Sequence, residues 1–292
     1  MKAVFARHAL FAAAAAAALT LSTASHAHRA WLLPSGTVYS GQQPWVSVDA
    51  AISNDIFYYE HNAAGLDNLV VIGPNGQPVQ AENQAKGRYR SMFDVKLEQQ
   101  GTYRLALVND GMMASFKVGN ETKRLRGTAE TLAKDIPAGA TELRVSQNVS
   151  RVETFVTRGN PTTDALKPTG TGIELVPVTH PNDLVEGETA TFRFLDNGKP
   201  AAGYAATVIL GGLRYRSELG EIRLNTDDKG EIKVKWPAPG MYWVNVAQAR
   251  AAAPGAGGPG AGAPAAPSGP AGTLAEPVRR SNYSLTLEVL PK

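Results

Sequence analysis

Few side chains in this sequence could do chemistry, and histidine leads them. The 292 residues hold five His and no Cys, which excludes thiolate metal sites, disulfides, cysteine nucleophiles and iron–sulfur clusters. Any metal would sit on nitrogen, oxygen or thioether. A chain cut just before His28 would offer an α-amine and an imidazole Nδ1 on one residue, an arrangement that chelates a divalent metal. A third nitrogen from His61 or His180 would complete a three-nitrogen site suited to copper, nickel, cobalt or zinc, with copper bound tightest. The plainer reading of His28 is a solvated terminal residue.

The cut itself is legible. Lys2 and Arg7 precede an apolar run from Ala9 to Leu21, and Ser25 and Ala27 supply the small residues that a signal peptidase requires. The run is shorter than the roughly 20 apolar residues of a membrane span. Cleavage after Ala27, with a cut after Ala24 as the competing choice, would leave a chain opening His28-Arg29-Ala30-Trp31. That chain would keep His28, His61 and His180 and carry 27 basic against 26 acidic residues. The expected product is periplasmic, and without Cys it has no lipid attachment point. A near-neutral balance also argues against a nucleic-acid partner.

His61 follows Tyr58-Tyr59-Glu60 and precedes Asn62-Ala63, at a strand end or in a loop. His180 lies in Val178-Thr179-His180-Pro181-Asn182, where the proline holds the preceding residue extended; its plainer reading is a structural histidine at a domain entrance. Met112-Met113 could offer thioethers to reduced copper, although adjacent Met residues more often mark a hairpin tip with one side chain packed inward. The sequence contains no Gly-x-Ser-x-Gly elbow, no His-Glu-x-x-His and no phosphate-cradling glycine loop. The protein is therefore read as a non-enzyme.

The elements that must position these histidines read as strands. From 28 to 120, short β-prone runs such as Pro44–Ala50, Leu69–Ile72, Ser91–Leu97 and Gly101–Val108 are separated by turn signals, among them Gly73-Pro-Asn-Gly76. From 171 to 292 the pattern repeats, with Asp196-Asn-Gly-Lys-Pro200 and Thr226-Asp-Asp-Lys-Gly230 as turns. The expected fold is all-β: two immunoglobulin-like β-sandwich domains in tandem, 28–120 and 171–292. The stretch 121–170 reads as a connector with a short helix near Thr128–Lys134 and a strand-like run near Thr141–Val156. Residues 251–272, only Ala, Gly, Pro and one Ser, read as a disordered loop inserted in a hairpin connection.

Four segments together resemble the secreted domain-of-unknown-function family 4198. They are the start His28–Ser35, the run Glu174–Leu184 with its His180-Pro181, the strand and turn Gly187–Pro200, and Pro239–Trp243. The resemblance implies a periplasmic component of cobalt or nickel uptake that works with an envelope transporter, with ligands at the mature N-terminus. That role carries over to His28 as a candidate ligand and is not matched position by position at His61 or His180; His180 is preferred to His61 as the further ligand because it sits in a family-like motif. A second reading stays open: a non-enzymatic adhesion or assembly module of the cell envelope, binding protein or glycan through Trp45, Tyr58, Tyr59 or Trp243.

Overall fold

The computed structural model describes residues 28–248 and 271–292. The leader read at 1–27 and residues 251–270 of the Ala/Gly/Pro segment lie outside the described residues. Alternation is what builds the strands: in Ser91–Lys96, the first, third and fifth residues are buried and the others half-buried.

Three sheets result. The first runs β1 (Arg29–Pro34), β3 (Trp45–Ser53), β7 (Ser91–Lys96), β6 (Glu82–Lys86), with β4 (Asn62–Ala63) also on β3. The second, of nine strands, follows the order β15 (Ile222–Asn225), β14 (Ala205–Leu210), β17 (Gly240–Ala247), β18 (Val278–Val289), β10 (Thr141–Arg158), β8 (Gly101–Val118), β5 (Leu69–Ile72). On it, β2 (Val38–Tyr39) pairs with β10 and β9 (Glu121–Gly127) pairs with β8. The third holds β11 (Ile173–Pro177), β12 (Thr189–Asp196) and β13 (Lys199–Pro200), with β16 (Glu231–Lys235) on β12.

The nine-stranded sheet serves two cores, one on each face. Tyr103, Leu105 and Leu107 of β8, with Val152 and Val156 of β10, face the first sheet and pack on Leu32, Val48 and Phe93. Phe155 of β10, with Tyr283, Leu285 and Leu287 of β18, faces the third sheet and packs on Phe192, Phe194 and Trp236. The period of two along a strand sends neighbours to opposite faces, so one strand can feed both cores.

That strand lies in the stretch read as a connector. The expected short helix is there as α1 (Ala129–Asp135), capped by Thr128, whose side chain accepts from the Thr131 amide. The strand-like run is β10, 18 residues long, hydrogen-bonded antiparallel to β8 and parallel to β18. Residues 121–170 thus supply the strand on which both layered halves are built, and the described residues fall in a single unit. The sequence disguises this because β10 buries Arg151 and Glu153 among its apolar residues.

Those charges form one buried cluster on the face toward the third sheet. Arg151 lies 3.5 Å from Glu153 and 3.1 Å from Glu174 of β11, and Arg104 of β8 lies 3.7 Å from Glu153. Tyr283 of β18 donates to Glu153 at 2.6 Å, and Glu174 accepts from the amides of Thr169 and Gly170. Two guanidinium groups balance two carboxylates, tying four strands together.

Two sequence readings change in detail. Met112-Met113 is mid-strand in β8 rather than at a hairpin tip; the tip is Gly119-Asn120, and Met112 packs on the small core under α1. The chain also re-enters the fold earlier than the reading of 251–272 as a loop allows. Val145 donates its amide to the Gly272 carbonyl at 2.9 Å. A Cβ at Gly272 would collide with the Val145 carbonyl oxygen and the Val278 amide nitrogen, so only glycine passes there.

Candidate metal centre

β3 is flanked near its C-terminal end by two strands, and each carries a histidine to the same place. Arg29 and Ala30 of β1 pair with Ser53 and Ile52, while Asn62 of β4 pairs with Ile52 from the other edge. His28 precedes β1 and His61 precedes β4. Their rings stack at 3.9 Å between centroids, with planes 14° apart. His28 is exposed and His61 half-buried, so the pair sits at the surface.

Both approaches are held from beneath. Trp31 of β1 is fully buried and donates its indole N–H to Ser53 Oγ at 2.8 Å. Phe57 and Tyr59, from the loop that leads to His61, pack on Trp31 with centroids 5.6 and 5.5 Å away. Phe57 has φ +60, an unfavourable conformation for a bulky residue that packing against Trp31 and Gly211 must maintain. The loop is closed by Glu60, whose Oε1 accepts from the amides of Asn54 and Asp55, both at 2.9 Å. Arg29 donates to the Asn54 carbonyl and lies 5.8 Å from the Trp243 ring, while Trp243 donates to the Ala30 carbonyl at 3.0 Å. Tyr59 donates to Asp49 at 2.5 Å beneath the guanidinium of Arg90, and burial pushes its hydroxyl up.

Among the described residues no group of three or more His, Asp or Glu is placed to hold a metal ion. Two imidazoles meet, and His180 is not with them. Its Nδ1 accepts from the Asn182 amide at 3.1 Å and therefore bears no proton. Nε2 then carries the hydrogen, 3.2 Å from the Thr162 carbonyl and 3.1 Å from Thr102 Oγ1. Asn182 completes the lock, accepting from Thr157 Oγ1 and donating to the Phe155 carbonyl. His180, preferred to His61 in the sequence as a companion to His28, lies apart from the stacked pair. The His-Pro-Asn motif builds a hydrogen-bonded pin at the ends of β8 and β10, with both ring nitrogens already used.

Burial lowers the pKa of His180, against the opposing pull of its bond to Thr162 and of Asp183. A depressed folded value means that the unfolded chain binds the proton more tightly. The stability from the neutral ring is present above the unfolded pKa of about 6.5 and is lost as pH falls through the folded value. Urea unfolding at pH 7.5 and pH 5 should show this loss in the wild type and a flatter pH dependence in His180→Asn. An unchanged slope would mean that the ring does not titrate across that window.

Comparison with known proteins adds the lineage. A family model described as a domain of unknown function, DUF4198, matches residues 25–250. The chain belongs to the DUF4198 family. No curated protein matches it. Among solved structures, a DUF4785 family protein from Legionella pneumophila is similar at 11% identity and TM-score 0.23, over 74% of this chain and 50% of that one. The chain thus spans half the length of that protein. The D0-D1 domain of intimin is similar at 12% identity and TM-score 0.22, over 89% and 97% of the two chains. An ICAM-5 D1-D4 ectodomain fragment is similar at 10% identity and TM-score 0.19, over 75% and 46%.

Residue identity pointed to His28 joined by either His61 or His180, with His180 preferred. The residues that sequence reasoning missed are those beneath the pair: Trp31, Phe57 and Ser53. The available signal was the run Arg29–Pro34, which reads as a strand once it is seen to pair with Trp45–Ser53.

Proposed function

We propose that this DUF4198 protein binds a divalent transition metal, copper, nickel or cobalt, through His28 and His61 after export to the periplasm and removal of residues 1–27. In this reading it serves metal uptake or handling as an accessory to an envelope transporter. The observation that supports the proposal is that two imidazoles 33 positions apart in sequence lie in contact; because stacked rings keep their in-plane lone pairs parallel, binding one ion requires one ring to rotate out of the stack. Two imidazoles are one nitrogen short of a three-nitrogen site. The α-amine freed by cleavage before His28 would supply the third, and the set would suit borderline metals over calcium or magnesium. A bound metal would cross-link β1 to the His61 loop and stabilise the fold by mass action. The proposal also takes the two layered halves as immunoglobulin-like sandwiches sharing one sheet.

Calorimetric titration of copper and nickel into the chain that starts at His28 tests which histidine assists. His61→Ala should weaken binding by about 100-fold or more, at or beyond the upper end of what loss of a supporting partner costs. His180→Ala should leave the affinity within about twofold. Equal loss in both variants, or none in His61→Ala, would reject the pair as the site.

A further inference from the structure

Where β8, β9 and β10 run past the first sheet, the nine-stranded sheet carries exposed arginines at the edges of one face, over a half-buried centre and a buried Ser146. The opposite face of this extension is closed: Ala114, Phe116 and Val145 pack with Leu132 of α1. On the arginine-bearing face the registers set these side chains in adjacent rows. Arg126 aligns with Met113, Ser146 and Val278; Arg124 aligns with Ser115 and Arg144; Gly111 and Asn148 align with Arg280. Arg124, Arg126 and Arg280 are exposed. Among the described strand residues of this face the only carboxylate is Glu142, which Lys117 engages at 2.7 Å. The chain from His28 on is otherwise almost balanced in charge, so the face is a local concentration of cations rather than a sample of the average.

We propose that this face docks on an anionic membrane surface through phosphate-bearing lipid headgroups. Rows about 7 Å apart along strands about 4.8 Å apart form a flat array matched to many separate phosphates, and arginine binds phosphate in a bidentate manner. The centre of the face is Ser115, Ser146, Asn148 and Gly111, with Met113 and Val278 as the apolar side chains of its Arg126 row. It lacks an aromatic anchor of the kind that dominates protein interfaces, which favours a lipid surface over an acidic protein.

The test is co-sedimentation of the chain starting at His28 with vesicles at about 50 mM salt. One set is phosphatidylglycerol with phosphatidylethanolamine; the other is phosphatidylethanolamine with phosphatidylcholine. Binding should require the anionic lipid and be lost at about 500 mM salt, where screening is short-ranged. Each cation near such a surface contributes about fivefold. Arg124→Gln/Arg126→Gln should therefore lower partitioning about 25-fold, while Lys233→Gln/Lys235→Gln on exposed positions of β16 should change it less than about threefold. Equal binding to both vesicle types, insensitivity to salt, an equal loss in the β16 control, or retention by polyglutamate without vesicle binding would overturn the proposal.

Discussion

Replacing Trp31 by Ala should destabilise the fold by about 3–5 kcal/mol and weaken the proposed metal site with it. The side chain is fully buried between β3 and the loop that leads to His61, and it holds Phe57 and Tyr59 by ring contacts and Ser53 by a hydrogen bond. Truncation would leave a large cavity under both approaches to the histidine pair. It would also remove the contact that keeps Phe57 at positive φ. Urea unfolding should show the lower midpoint, and copper titration of the still-folded variant should show reduced affinity. Trp31→Phe should recover most of the stability while losing the bond to Ser53. A cost below about 1 kcal/mol for Trp31→Ala would mean that the site does not rest on this residue.

Arg151→Met should be comparably severe near neutral pH, about 3–5 kcal/mol, because it leaves buried carboxylates without their shared counter-ion. Glu174 would keep its bonds from Thr169 and Gly170, but Glu153 would keep only Tyr283 and the more distant Arg104. Burial already raises the pKa of Glu153, against the pull of Arg151 and then of Arg104. A folded value above the unfolded one means that its contribution is complete below the unfolded pKa of about 4.3 and is lost as pH rises through the folded value. Removing Arg151 raises the folded value further, so the cost of the substitution should shrink on acidification as Glu153 takes up a proton. Denaturation at pH 7.5 and pH 5 would show the convergence. A cost independent of pH would indicate that Arg151 acts by packing alone.

Much of the strand content was legible because it obeys local rules. Leu69–Ile72 and Ala205–Leu210 read directly as β-prone runs, and the Asn197-Gly198 pair marked the turn between β12 and β13. Failures arose where the physics was non-local. β8 reads as ending at Val108, with a hairpin tip at Met112-Met113, because Asn109-Asp110-Gly111 is exposed polar backbone at the point where the strand leaves the core for the extension. β6 is wholly exposed, so no alternation announces it. The parallel pairing of β10 with β18 joins segments 132 positions apart, with no nearby turn to betray it. His180 stood out because of its neighbouring proline, yet its environment depends on Thr102, Thr157 and Thr162, none of which the motif contains. The His28–His61 contact depends on two strands flanking a third, which only the sheet order supplies.

The central claim is tested most directly by comparing two chains that differ at one point, the first beginning at His28 and the second carrying one extra residue before it. Copper and nickel titrations at pH 7.5, with proton release followed in parallel, should show tight one-to-one binding by the first and a loss of at least about 100-fold in the second, since the added residue turns the His28 amine into a peptide amide and carries the free amine away from the two imidazoles. Equal affinity in the two chains, or no binding by the first, would contradict the account.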